Sequence, residues 1–142
     1  MTEPQTSPHP VERHLGEFEG LWRLNRRIKP ANGPEGQFDG RAEWVRKDTG
    51  LAYVEQGVLT LEGQPPMQAE RRYFWDAELN VYFEDGRFFH QVPRLGGATA
   101  HWCDPDQYNV SYDFASWPVF EVCWKVRGPR KDYEMITRYV RN

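Results

Sequence analysis

The sequence is poor in cysteine, has no excess of positive charge and contains no long hydrophobic run. Its 142 residues include only two cysteines. Strand alternation predicts that Cys103 points inward and Cys123 outward, so we expect no disulfide between them. The formal net charge is −3 and the basic residues form no stripe, which argues against nucleic-acid binding. No apolar run approaches the ~20 residues of a membrane-spanning helix, so neither nucleic acid nor membrane is expected as a partner.

Sequence fingerprints of several enzyme classes are also missing. There is no Gly-x-Ser-x-Gly motif, and no glycine pattern typical of a phosphate loop or a dinucleotide site. Nucleophilic serine chemistry and nucleotide binding therefore find no support. The first residues are polar and rich in proline, without the apolar segment of a signal peptide. The predicted location is the cytoplasm.

Large aromatic residues dominate the apolar composition. Trp, Tyr and Phe make up 15% of the chain, against 39% for all hydrophobic residues. This indicates a core of rings, which favour strands. Turn-forming residues recur after residue 18 and cut the chain into about ten strand-sized segments, none with a sustained helical period. The pattern predicts an all-β, antiparallel sandwich or up-and-down barrel over residues 15–142. A flexible tail is expected over residues 1–14, and a short helical turn within residues 11–18.

The Asp85-Gly86 dipeptide predicts a β-hairpin and fixes its register. Asp-Gly favours a two-residue type I′ turn. Phe83 would then pair with Phe88, and Val81 with His90. Because these apolar partners agree, we expect His90 on the inner face beside Val81.

The start and the end of the predicted domain resemble the lipocalins and the wider calycin group. Gly20 and Trp22 form an early Gly-x-Trp after a short helical turn, and Arg138 and Arg141 lie on the last segment. The resemblance implies an up-and-down barrel in which the indole packs beneath the barrel floor and one of these arginines lies across it. Trp22 is therefore expected to stabilise the fold and not to contact a ligand.

Two other segments, residues 101–108 and 128–133, resemble a family of small bacterial proteins described as a domain of unknown function. That resemblance implies a bacterial origin and brings no activity. The sequence lacks the secretion signal, the disulfide pair and the long C-terminal helix of secreted lipocalins. A barrel similar to cytoplasmic fatty-acid-binding proteins or to nitrobindin is therefore the better match within the calycin group.

Strand alternation predicts that several polar and aromatic side chains point into the barrel. An ordinary core does not need charged groups, and buried charges are costly unless they are paired. These side chains therefore form a candidate ligand-binding site. Its predicted members are Tyr53, Glu55, Arg71, Tyr73, His90, His101, Tyr108, Tyr112, Trp124 and Tyr133.

Glu55 and Arg71 have two interpretations. They could form a cross-strand ion pair to which the tyrosines bond, and then their role is structural. Alternatively they lie in a wet cavity where Arg71 meets the anionic group of a ligand and the rings hold its aromatic body. The sequence leaves both interpretations open.

The histidines raise further alternatives. His90 or His101 could act with Glu55 or Tyr73 as acid and base in an enzyme. His101 and Cys103 share a face, but two neighbouring ligands and a distant histidine match no recognised zinc pattern, so no metal is predicted. No cofactor is predicted either, although haem ligation by a histidine, as in nitrobindin-like barrels, stays an open alternative.

Three functions remain in competition. The leading hypothesis is a protein that binds a small aromatic or carboxylate-bearing molecule in a polar, ring-lined cavity. The second is a cofactor-independent isomerase, cyclase or lyase that uses the same inward His, Glu and Tyr side chains. The third is a structural or partner-binding module with a filled interior.

Overall fold

Ten antiparallel strands follow a four-residue 3-10 helix in the computed structural model, which describes residues 11–142. The helix spans Leu15–Phe18. The strands are β1 (Gly20–Pro30), β2 (Gly36–Lys47), β3 (Gly50–Leu61), β4 (Met67–Trp75), β5 (Asn80–Phe83), β6 (Phe88–Gln91), β7 (Gly97–Cys103), β8 (Asp106–Asp113), β9 (Phe120–Arg127) and β10 (Asp132–Arg141).

The strands form one up-and-down sheet that curls into a nearly closed barrel. Each strand pairs with its neighbours along the chain, and β1 also pairs with β10, so that β6 and β7 are the two edges. The edges lie side by side, with the rings of Phe88 on β6 and His101 on β7 5.6 Å apart. No hydrogen-bonded ladder joins these two described strands. The predicted all-β, antiparallel up-and-down barrel of about ten strands is confirmed.

The hairpin between β5 and β6 corrects part of the predicted register. Val81 does lie opposite His90, but Tyr82, not Phe83, lies opposite Phe88, because the register shifts between Val81 and Tyr82. The Phe83 N–H donates to the Arg87 carbonyl at 2.8 Å, so the loop has three residues. Gly86 takes a φ of 90°, which glycine adopts without strain and which is typical of three-residue hairpin loops.

Aromatic side chains close the end of the barrel next to the 3-10 helix. Trp22 is fully buried, and its indole N–H donates to the Phe18 carbonyl at 2.8 Å. The Arg141 guanidinium lies 4.0 Å from the centre of the Trp22 ring and donates to the carbonyls of Glu17 and Glu19. Of the two arginines proposed from the sequence, Arg141 covers the indole, whereas Arg138 is exposed.

The predicted tail, residues 1–14, is described only from residue 11 onward. Within this part, Arg13 is buried. Its backbone N–H donates to the Arg94 carbonyl at 2.8 Å, and its guanidinium lies 4.7 Å from the centre of the Trp117 ring. The chain therefore contacts the barrel from Arg13 onward.

Both cysteines are free thiols, as predicted. Cys103 packs against the core, whereas the Cys123 sulfur lies 3.7 Å from a carboxylate oxygen of Glu134 on the outer face. Within residues 11–142, no helix is long and apolar enough to span a membrane.

Candidate ligand-binding site

The barrel encloses a cavity lined by polar and aromatic side chains from most of the strands. It contains about 460 Å³ of space between atoms, part of it open to solvent, but only about 30 Å³ is wide enough for the centre of a water molecule. Side chains therefore fill most of the interior. The lining residues are Arg26, Trp44, Tyr53, Glu55, Arg71, Tyr73, Trp75, Val81, Phe89, His90, Tyr112, Phe120, Val122, Trp124, Thr137 and Tyr139.

A bidentate ion pair occupies the middle of the barrel. Arg26 donates from its two terminal nitrogens to the two carboxylate oxygens of Glu55, at 2.6 and 2.8 Å. Both residues are buried, with 5% and 1% of their surface exposed. Arg71 is the cross-strand neighbour of Glu55 but forms no ion pair with it. The Glu55–Arg71 ion pair, one of the two interpretations that the sequence left open, does not form, because Arg26 on β1 reaches across and meets the carboxylate in a fork geometry.

Two tyrosines and a threonine complete the hydrogen bonds of this pair. The Tyr53 hydroxyl donates to Glu55 at 2.6 Å and lies 2.8 Å from the Tyr139 hydroxyl. The Arg26 Nε donates to the Thr137 hydroxyl at 2.8 Å. A buried ion pair is tolerated when further hydrogen bonds satisfy its remaining lone pairs and protons, as they do here.

The ion pair and its burial determine the protonation states of Glu55 and of the two neighbouring tyrosines. Burial alone would raise the pKa of Glu55, but hydrogen bonding and charge from Arg26 lower it below its ordinary value. Burial also raises the pKa of Tyr53 well above 10 and that of Tyr139 to about 12. Glu55 is consequently a carboxylate and both tyrosines are neutral over the physiological pH range.

Arg71 differs from Arg26 because it has no carboxylate partner among residues 11–142. It is partly buried, and its polar neighbour is Tyr73, where burial raises the pKa of the hydroxyl and the charge of Arg71 and a hydrogen bond from it act to lower that pKa. Its guanidinium lies 5.7 Å from the centre of the Trp124 ring. Arg71 lines both the inner cavity and a groove formed at the open end by the β1–β2 and β9–β10 loops. It therefore lies at the mouth of the cavity.

His90 lies deeper and is nearly fully buried, with 2% of its surface exposed. Its Nε2 is 2.7 Å from the Tyr112 hydroxyl, whereas Nδ1 has no hydrogen-bond partner in the described part of the chain. Burial lowers the pKa of His90 to about 3, with a smaller contribution from His101. The imidazole is therefore neutral at neutral pH.

Three predicted site residues do not line the inner cavity. His101 packs against Phe88 at the edge of the barrel. The Tyr108 ring packs against Phe89 and Trp124, and its hydroxyl accepts a hydrogen bond from Lys131 at 3.3 Å. Tyr133 lines the outer groove together with Arg71. The other predicted members, Tyr53, Glu55, Arg71, Tyr73, His90, Tyr112 and Trp124, all line the cavity.

Arg26, Thr137 and Tyr139 are polar lining residues that are absent from the predicted site. Strand alternation is the signal that could have identified them, since Arg26 follows Trp22 and Leu24 on one face of β1. Tyr139 likewise follows Thr137 on the inner face of β10. The contact of Arg26 with Glu55 depends on how the barrel curls. Among residues 11–142, no three His, Cys, Asp or Glu side chains are grouped to hold a metal ion.

Fold and cavity together define a lipocalin-like β-barrel with a buried polar network and a charged mouth. The chain belongs to the family of unknown function DUF6314, which matches residues 18–141. Among solved structures, it is similar to the S-type phycobiliprotein lyase CPES from Guillardia theta, with a TM-score of 0.60 and 8% sequence identity over 90% of each chain. At this identity the likeness shows the fold alone. No curated protein matches the sequence.

Proposed function

We propose that this protein binds a small aromatic anion, such as an aromatic carboxylate, in the barrel cavity, with the anionic group at the mouth. The guanidinium of Arg71 carries the proposal, because no carboxylate among residues 11–142 pairs with it. A partly buried charge without an opposite charge is unfavourable, and a carboxylate can bind guanidinium through two parallel hydrogen bonds. Arg26, which also lines the cavity, has no such capacity left because the Glu55 carboxylate occupies both terminal nitrogens of its guanidinium.

Rings below Arg71 suit the aromatic body of such a ligand. Phe89 lies 5.1 Å from Trp124 and 6.1 Å from Tyr73 between ring centres. Edge-to-face and offset contacts at these distances are the geometry that aromatic groups prefer. Because the cavity holds little free space, the side chains of Arg71 and Trp124, which are only partly buried, must shift as the ligand enters.

The small free volume favours a second candidate, a structural or partner-binding module with a filled interior. Acid–base catalysis, the other alternative, has less support. His90 is neutral with a pKa of about 3, and Arg26 holds the pKa of Glu55 below its ordinary value. Neither group therefore has a pKa near neutral pH, where an acid or base works best. Haem ligation stays an untested alternative.

Calorimetric titration with 2-naphthoate tests the proposed function. We expect binding to the natural protein, and a loss of affinity of about tenfold to a hundredfold in Arg71→Leu, the scale of one charge-assisted hydrogen bond or pair. Arg72→Leu is the matched control, since Arg72 points outward and pairs with Glu70. Because the structural relative is named a phycobiliprotein lyase, a bilin is the first larger ligand to test.

Two results would count against the proposal. One is equal affinity of the natural protein and Arg71→Leu for 2-naphthoate. The other is no binding of either naphthoate or bilin, which would favour the filled module. Thermal melting of both variants shows whether a loss of binding reflects a loss of fold.

A further inference from the structure

His90, at the inner end of the cavity, has a buried ring nitrogen without a hydrogen-bond partner in the described part of the chain. His90 Nδ1 forms no hydrogen bond among residues 11–142, although His90 lines the cavity and is 2% exposed. Buried side-chain nitrogens are nearly always paired, and an unpaired one destabilises the fold. An unpaired nitrogen on a side chain that lines a cavity points to a ligand group that pairs with it.

Tyr112 decides what kind of group this is. If the Tyr112 hydroxyl donates to Nε2, then Nδ1 carries the proton and needs an acceptor. If Nε2 donates to Tyr112, then Nδ1 is itself the acceptor and needs a donor. A hydroxyl group on the ligand suits both tautomers, because it donates and accepts. Trp44 Nε1, which also has no partner in the described residues, lines the same cavity and can only donate.

The strand register gives the distance between the two ends of the site, which are His90 at the inner end and Arg71 at the mouth. Trp75 lies opposite Val81, and Val81 lies opposite His90, so these residues are at one level of the barrel. Arg71 is four residues from Trp75 on β4, which is about 13 Å along a strand. The Arg71 side chain reaches part of this distance. A ligand of about two fused rings would span the remainder.

We infer that the ligand carries a hydroxyl or similar hydrogen-bonding group at the end opposite its anionic group, and that His90 binds this group while Arg71 binds the anion. This inference rests on the proposed function, since it names the ligand class for the same cavity. His90 then discriminates between ligands by the group that each one places at the inner end of the cavity. Tyr112 positions the His90 imidazole.

A pair of probes that differ only at the inner end tests the inference. They are 2-naphthoate and 6-hydroxy-2-naphthoate, titrated into the full chain by calorimetry. The hydroxyl should strengthen binding about tenfold, the effect of one buried hydrogen bond. In His90→Phe the two probes should bind equally. The matched control is His101→Phe, which alters a histidine outside the cavity and should keep the tenfold preference.

The results separate the inference from the proposed function. Equal binding of both probes to the natural protein overturns the inference and leaves the proposed function intact. A preference that survives in His90→Phe also overturns it. If neither probe binds, the proposed function fails for this class and the inference fails with it. Should His90→Phe not fold, nitrogen NMR of the natural protein replaces it: the Nδ1 resonance should shift with the hydroxylated probe and not with 2-naphthoate.

Discussion

Arg26 and Arg71 are the same kind of side chain on inner faces of one barrel, but they have different surroundings. Arg26 forms two hydrogen bonds to Glu55 and one to Thr137. Arg71 forms no ion pair among the described residues and lies at the mouth. We therefore expect substitutions at Arg26 to act on stability, and substitutions at Arg71 to act mainly on binding.

Double substitution at the buried ion pair tests this division. Arg26→Met leaves Glu55 as an unpaired buried carboxylate and should lower the free energy of unfolding by about 3–5 kcal/mol. Arg26→Met with Glu55→Met removes both charges and should recover much of that loss, since a hydrophobic replacement of a buried pair is often neutral. Urea denaturation of the natural protein, both single variants and the double variant measures the coupling. Additive losses would show that the two residues do not depend on each other.

At the scale of the element, the closed end is built from three separate parts of the chain. The 3-10 helix contributes the carbonyl that accepts from Trp22, β1 contributes Trp22 itself, and β10 contributes Arg141. Arg141 binds carbonyls at and after the helix and covers the indole, so it attaches the helix to the barrel. The resemblance to lipocalins predicted this arrangement, with Arg141 as one of two alternatives.

Substitution of Arg141 should therefore loosen the closed end. Arg141→Met removes two hydrogen bonds to backbone carbonyls and a cation–ring contact, so we expect a loss of about 2–4 kcal/mol. The near-ultraviolet circular dichroism, to which the buried Trp22 contributes, should weaken as well. Arg138→Met, on the exposed face of the same strand, is the control and should change stability by less than about 0.5 kcal/mol. Equal melting temperatures for the two variants would contradict the role of Arg141.

For the whole molecule, the buried ionisable groups make stability depend on pH. The pKa of His90 is about 3 in the folded chain and about 6.5 when unfolded. The unfolded chain therefore binds the proton more readily, and stability is lost as the pH falls below about 6.5. Glu55 acts in the same direction at lower pH, because its pKa is lowered in the folded chain. Its stabilising contribution is present above about pH 4.5 and lost as the pH falls through the folded pKa.

Denaturation at a series of pH values measures this effect. Between pH 6 and 4.5, His90 should contribute a loss approaching about 1.4 kcal/mol per pH unit, the slope for one proton. His90→Phe should show a shallower slope over the same range, whatever its stability at pH 7. His101→Phe should keep the slope of the natural protein. Identical slopes in all three proteins would show that His90 is not held neutral by the fold.

The cytoplasmic location and the bacterial origin of the protein stay predictions.

Alternation and turn residues in the sequence determined the fold class, the number of strands and most inward residues. These are local properties, because a strand sends successive side chains to opposite faces. The β5–β6 loop was misjudged since a bulge shifts the register by one residue, and the choice between two-residue and three-residue loops is not local. His101 was predicted in the cavity because its face was right, but the face alone does not say how near the residue lies to the barrel edge.

Only the tertiary structure decided which charges meet. Glu55 is the cross-strand neighbour of Arg71, so the sequence left a pair between them as one of two interpretations. Curling of the sheet brings Arg26, on a strand that does not adjoin β3, close enough to take the carboxylate in a bidentate pair. Arg26 is better placed than Arg71 to bind the Glu55 carboxylate, so Arg71 is left without a carboxylate partner among the described residues. This choice of partner depends on distances across the barrel, which the spacing of residues along one strand does not determine.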